Sequence, residues 1–137
     1  MAWFRVDDVL CDEPIPAWRD AYGRKRYRAT HTYVVAWPDG VVKVGIAGDK
    51  TRWSKFVSKG AALVMLMTFA KCADAIDAER SIEAKLSELG TPAFASRFDA
   101  QAHLGSGGGG YSECYRLGPT NGDALLAFLR VYRRAVA

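Results

Sequence analysis

Four side chains have the chemistry to act together on a phosphate ester: Tyr33, Lys43, Arg52 and Glu79. They lie in the runs Tyr33-Val34-Val35, Lys43-Val44-Gly45, Arg52-Trp53 and Ala78-Glu79-Arg80. Cleaving a phosphodiester requires an attacking water, charge relief on the phosphoryl oxygens and help for the leaving oxygen. A guanidinium such as that of Arg52 can clamp a non-bridging phosphate oxygen with two hydrogen bonds, a geometry that lysine does not reproduce. A carboxylate such as Glu79 can hold a divalent cation. A phenol ionises only near about pH 10, so Tyr33 needs basic neighbours before it can serve as a base, and Lys43 and Arg52 are the candidates. Each residue also has a plain reading. Tyr33 reads equally as a half-buried strand tyrosine, Lys43 as an exposed strand residue, and Glu79 with Glu83 as a solvated helix face whose like charges, one turn apart, repel.

The elements that must position these groups follow from the pattern. His31–Trp37 is rich in β-branched and aromatic residues and predicts a strand. Pro38-Asp39-Gly40 is a turn, and Val41–Ile46 is the return strand of a hairpin. A basic helix follows from Thr51 to about Ser58, capped by Thr51 or Asp49 and ended by Gly60. Ala61–Phe69 is apolar throughout and reads as a central strand. Ala73–Leu89 is a helix with a stripe of Ala75, Ala78, Ile82, Leu86 and Leu89, stopped by Gly90 and Pro92. Gly105–Gly110 is flexible by composition, Ser112–Leu117 is a short strand, and Ala124–Val136 is a helix begun by Asn121 or Asp123. The expected fold class is α+β, a small three-stranded sheet with an antiparallel hairpin, flanked by helices. Residues 1–29 read as an N-terminal extension with a basic arm, 30–117 as the core and 118–137 as a C-terminal helix packed on it.

The charge is uneven. Residues 24–59 hold nine basic residues against two acids, Asp39 and Asp49. Such a field suits a polyanion, with a solvated basic face as the bland alternative. Arg24, Lys25, Arg26 and Arg28 form one cluster and Lys50, Lys55 and Lys59 another, together the candidate nucleic-acid contacts. Cys11, Cys72 and Cys114 are widely spaced, without metal-ligand spacing, and read as buried free thiols of a cytoplasmic protein. His31 and His103 likewise lack ligand spacing. No apolar run reaches the roughly 18 residues of a bilayer span, so no membrane association is expected.

Taken in order, these motifs resemble the GIY-YIG nuclease superfamily over residues 31–117, in a form where both signature tripeptides have drifted. Lys43-Val44-Gly45 is most similar to a phage-associated branch with lysine in the second motif, K-[IV]-G. The resemblance implies a β-β-α-β-α core and a DNA endonuclease from a phage or another mobile element. It implies Tyr33 as general base or water positioner, Arg52 as phosphate clamp, and Glu79 as the ligand of one Mg2+ or Mn2+, with Lys43 at the rim of a shared groove. The sequence departs from the pattern at Lys43, at Phe56, where some relatives carry histidine, and at Glu83, where the branch carries histidine. Gly110-Tyr111-Ser112-Glu113-Cys114-Tyr115 resembles a further signature of that branch, with Glu113 mainly structural. The departures leave open an inactive nucleic-acid-binding module, or a protein-interaction module, on the same fold.

Overall fold

The structure, a computed structural model, describes residues 10–11, 18–19, 25–26, 30–48 and 51–136. Strands β1 (Leu10–Cys11), β2 (Trp18–Arg19) and β3 (Lys25–Arg26) precede the core, and β2 pairs with β3 as a separate ribbon. The core comprises β4 (Thr30–Ala36), β5 (Val41–Ala47), α1 (Thr51–Val57), β6 (Ala62–Phe69), α2 (Cys72–Leu89), β7 (Thr91–Pro92), α3 (Gln101–Leu104), β8 (Cys114–Arg116) and α4 (Pro119–Val136). The class is α+β as expected, but the sheet is larger than three strands. Its order is β1-β6-β4-β5-β8-β7, antiparallel except where β1 runs parallel to β6. The strands missed from the sequence, β1, β2, β3 and β7, are two residues long, too short to show a period of two, whereas β8 lies within the short strand expected at Ser112–Leu117.

The β4–β5 hairpin sets the geometry. Tyr33 stands opposite Gly45 and Val35 opposite Lys43, so these four positions share one face. The turn is held by Trp37 N–H donating to the Val41 carbonyl at 2.8 Å, and by Val41 N–H donating to Asp39 Oδ1 at 3.1 Å. The β4–β6 register shifts between Val34 and Val35, leaving Val64 as an extra residue that bends β6.

Each face of the sheet carries its own core. On one, Val34, Ala36, Val42 and Val44 meet Ile82 and Leu86 of α2 and Leu125, Leu126 and Leu129 of α4. On the other, Tyr33, Val35, Trp37 and Leu66 meet Trp53 and Phe56 of α1 and Leu104 of α3. The second core is a run of rings. His31 meets Trp53 at 5.4 Å, Tyr33 meets Trp53 at 5.9 Å and Phe56 at 6.1 Å, and Phe56 meets Trp37 at 6.0 Å. Edge-to-face and tilted pairs at these separations favour a fixed ring geometry beyond area burial alone.

Two expectations about ends and thiols are corrected. Helix α4 starts at Pro119, a residue whose missing N–H costs nothing in a first turn, and not at Asn121 or Asp123. Asn121 instead donates from Nδ2 to the Leu89 carbonyl at 2.6 Å, satisfying the end of α2. Cys114 is buried but Cys72 is exposed at the start of α2. Gly90 closes α2 with its N–H on the Leu86 carbonyl, in extended backbone open to any residue. Its need is space: a Cβ there would lie 2.7 Å from the Arg116 carbonyl oxygen and 2.7 Å from Leu117 Cδ1. Gly90→Ala is therefore expected to destabilise the fold by about 1–3 kcal/mol through overpacking, read as a lower urea midpoint at unchanged slope.

Candidate active site

Strand β8 covers only Val41, Val42 and Lys43 of β5. Beyond Lys43 that side of β5 has no partner strand among the described residues, and here groups from both layers come within electrostatic reach of one another. Tyr33 and Lys43 come from the α1 face, Arg52 from the first turn of α1, Glu113 from the turn before β8, and Glu79 from α2. Gly45 makes the arrangement possible. A Cβ on Gly45 would collide with the Tyr33 hydroxyl and lie 2.6 Å from Cζ, so glycine is what lets the phenol cross the strand.

Lys43 is not at a rim. It is 2% exposed, and its ammonium donates to Glu113 Oε2 at 2.9 Å and to the Val44 carbonyl at 3.4 Å. Burial works against its charge, but Tyr33 and Glu113 outweigh burial and hold its pKa above the ordinary lysine value. The Gly-rich run is part of this site. A Cβ on Gly110 would stand 2.6 Å from Lys43 Nζ, and one on Gly108 would collide with the backbone of Arg97. Gly105, Gly107, Gly108 and Gly110 all have positive φ, the conformation that only glycine adopts without strain. Glu113, read from the sequence as structural, is the direct partner of the buried lysine.

Tyr33 is 1% exposed. Burial pushes its hydroxyl above the usual tyrosine range, although the charges of Lys43 and Arg52 pull the other way. The basic neighbours are thus present, but burial wins, and at neutral pH Tyr33 is a neutral phenol able to donate one hydrogen bond. Arg52 is exposed in the first turn of α1, with its charge acting on this phenol. Phe56, in place of a histidine, packs against Tyr33 and lies under Lys43 Nζ at 5.9 Å and Lys55 Nζ at 5.4 Å, so it seats the charges instead of moving protons. Cys114 donates weakly to the Gly110 carbonyl, and burial pushes its thiol up to about 12, so it is no nucleophile at neutral pH.

Glu79 is half-buried on α2. Burial first, then the Glu113 carboxylate, raise its pKa, with Glu83 adding and Lys43 and Arg80 opposing. Glu83 accepts from the Tyr115 hydroxyl at 3.4 Å, and its charge contributes to raising the Tyr115 pKa. Three carboxylates therefore bear on one place, while Lys43 neutralises only Glu113. No three acid, histidine or cysteine side chains form a ready metal cage among the described residues. The donor set still suits a hard cation bound mainly through Glu79 and waters, because oxygen ligands in a negative field are what Mg2+ takes.

The other candidates lie apart or outside the described residues. Arg24, Arg28 and Lys50 are not among the described residues, and Lys25 and Arg26 are described only as backbone of β3. Lys55 and Lys59 are exposed on the α1 side. His103, unassigned from the sequence, pairs through Nε2 with Asp39 Oδ2 at 2.6 Å and ties α3 to the hairpin turn. It stands against Trp37 at 5.3 Å and Phe94 at 5.0 Å, a structural clasp. Family models, curated proteins and solved structures were each compared with the chain, and none matches. Among the described residues no helix is long and apolar enough to cross a membrane.

Two outcomes follow from the charge layout. Glu113→Ala strands an ammonium that is 2% exposed, whereas Lys43→Met leaves a carboxylate that is 35% exposed and able to turn to water. Glu113→Ala should therefore cost about 2–4 kcal/mol in chemical denaturation and Lys43→Met markedly less. For Glu79, a raised pKa means that the folded state holds its proton more tightly than the unfolded chain. Stability contributed by this group is lost as pH rises from the ordinary glutamate value through the raised one. Glu79→Gln should then raise the midpoint of thermal unfolding at pH 7 by roughly 1–4 °C, with the gain vanishing at acid pH.

Proposed function

We propose that this protein is a metal-dependent endonuclease of GIY-YIG type acting on nucleic acid, with DNA as the expected substrate and a phage or other mobile element as its origin. The observation that carries the reading is the Lys43–Glu113 ion pair at 2.9 Å where the β8 cover of β5 ends, with Tyr33 and Glu79 each within its field and Arg52 acting on Tyr33 from α1. These are the types the reaction asks for, drawn from two strands, two helices and a turn.

In this reading Arg52 reaches the scissile phosphate from solvent and holds its non-bridging oxygens. The neutral Tyr33 hydroxyl orients the attacking water by hydrogen bonding and does not act as a free phenolate. Lys43, kept charged by Glu113, is committed to that ion pair and fixes the Glu113 carboxylate beside the site. Glu79 would hold a Mg2+ or Mn2+ ion, which when bound supplies charge relief at the phosphoryl and leaving oxygens. The proton lost from the water goes to solvent or to a carboxylate, since Tyr33 is already protonated and Lys43 is an ammonium. A second reading, a binding module without catalysis, is favoured by the burial of both Tyr33 and Lys43.

Cleavage of supercoiled plasmid, branched DNA, single strands and RNA in Mg2+ or Mn2+ separates the readings. Glu79→Ala is expected to lower metal-dependent cleavage by at least about 10²-fold, on the scale of losing one electrostatic stabiliser, while nucleic-acid binding persists. Glu83→Ala should lose far less. Binding that weakens with salt but no cleavage on any substrate would leave the module reading.

A further inference from the structure

Phe98 is the most exposed large apolar residue among those described, at 79%. It is not on a loose tail. Asp99 N–H donates to Ser96 Oγ at 3.3 Å, Ala100 N–H to the Arg97 carbonyl at 3.2 Å and Gln101 N–H to the Phe98 carbonyl at 3.3 Å. The turn Ser96–Ala100 thus leads into α3 and displays an aromatic ring to solvent while its backbone is satisfied.

Its place relative to the site follows from close contacts. Gly110 lies on Lys43 Nζ, and Gly108, two residues earlier, lies on the backbone of Arg97, the neighbour of Phe98. Consecutive Cα atoms are about 3.8 Å apart, so this chain of contacts puts the Phe98 backbone within roughly 20 Å of the Lys43 ammonium. The surroundings are mostly basic. Arg97 adjoins Phe98, and Lys59 lies along Gly105 at the other end of α3, with its Cε 3.1 Å from where a Cβ would stand. Arg52, Lys55 and Lys59 follow one another at spacings of three and four along α1 and the turn after it, a single helical stripe starting at the site. Asp99 is the acid beside the ring; its carboxylate is exposed, and only its backbone N–H is bonded to Ser96.

We propose that Phe98 is a stacking platform for an unpaired nucleobase, and that the substrate is a nucleic acid with a single-stranded segment a few nucleotides from the scissile phosphate. This inference rests on the nucleic-acid reading above. An exposed ring flanked by cations is how proteins hold single strands, since every base has a face to stack and every linkage a charge to neutralise. A closed duplex presents no free base face, so the ring would have nothing to cover.

The test uses the full chain in a chelating buffer and measures fluorescence anisotropy of a labelled 12-nucleotide single strand and of the blunt duplex of the same sequence. Phe98→Ala should weaken single-strand binding about tenfold and duplex binding less than twofold, and Phe98→Trp should restore the single-strand affinity. A 2-aminopurine base in the single strand should be quenched by the wild type and not by Phe98→Ala. Equal losses on both substrates, or none, would overturn the stacking proposal while leaving nucleic-acid binding standing. A wild type that binds neither substrate would overturn both. Circular dichroism of the Phe98 variants should match the wild type, because the ring contributes almost nothing to the core.

Discussion

The buried ion pair between Lys43 and Glu113 is the constraint around which this structure is arranged. An ammonium inside a sheet is costly unless a carboxylate reaches it at short range and further acceptors take up its remaining protons. The carboxylate arrives from a turn some 70 residues along the chain, and a neighbouring carbonyl supplies a second acceptor. Glycine is required above the ammonium at Gly110, where a side chain would meet Lys43 Nζ and the backbone has positive φ. The pair also explains why β8 stops where it does. Lys43 is the last residue that β8 covers, and the turn carrying Glu113 occupies the space immediately beyond.

From that pair the division of labour between the two faces becomes clear. The α2 and α4 face is aliphatic and supplies most of the dispersion packing. The α1 face is built of rings, which hold the Tyr33 phenol against Arg52 and beneath the strand gap at Gly45. The edge between the faces is where acid from one layer meets base from the other.

Much of this arrangement is legible from residue order because it depends on period and punctuation. The hairpin, the apolar third strand and the striped helix are each long enough to be read, and they stand where the β-branched and aromatic run His31–Trp37 and the spacing from Ala75 to Leu86 put them. Short strands are not legible, since two residues have no period and their pairing is decided by neighbours distant in sequence. The burial of Lys43 is hidden for the same reason. Nothing local to Lys43-Val44-Gly45 reports a carboxylate waiting at Glu113, and lysine in a strand is ordinarily a surface residue. The one available signal was Glu113 itself, a lone acid between a glycine run and an apolar strand. The neutral state of Tyr33 was also out of reach, because it depends on how two opposing effects balance, burial against nearby cations.

The long sequence separation in the ion pair also has a kinetic meaning. The β4–β5 hairpin closes through four residues and can form on the microsecond scale, with Lys43 still in water. Strand β6 joins after one intervening helix, whereas β8 and β1 pair with strands far away in the chain. Contacts of that range form late because the loop entropy must be met before they return any stability. The ammonium therefore enters the interior only when nearly all of the domain has passed through its folding barrier. A partly folded chain carries the basic helix but not the assembled charge cluster.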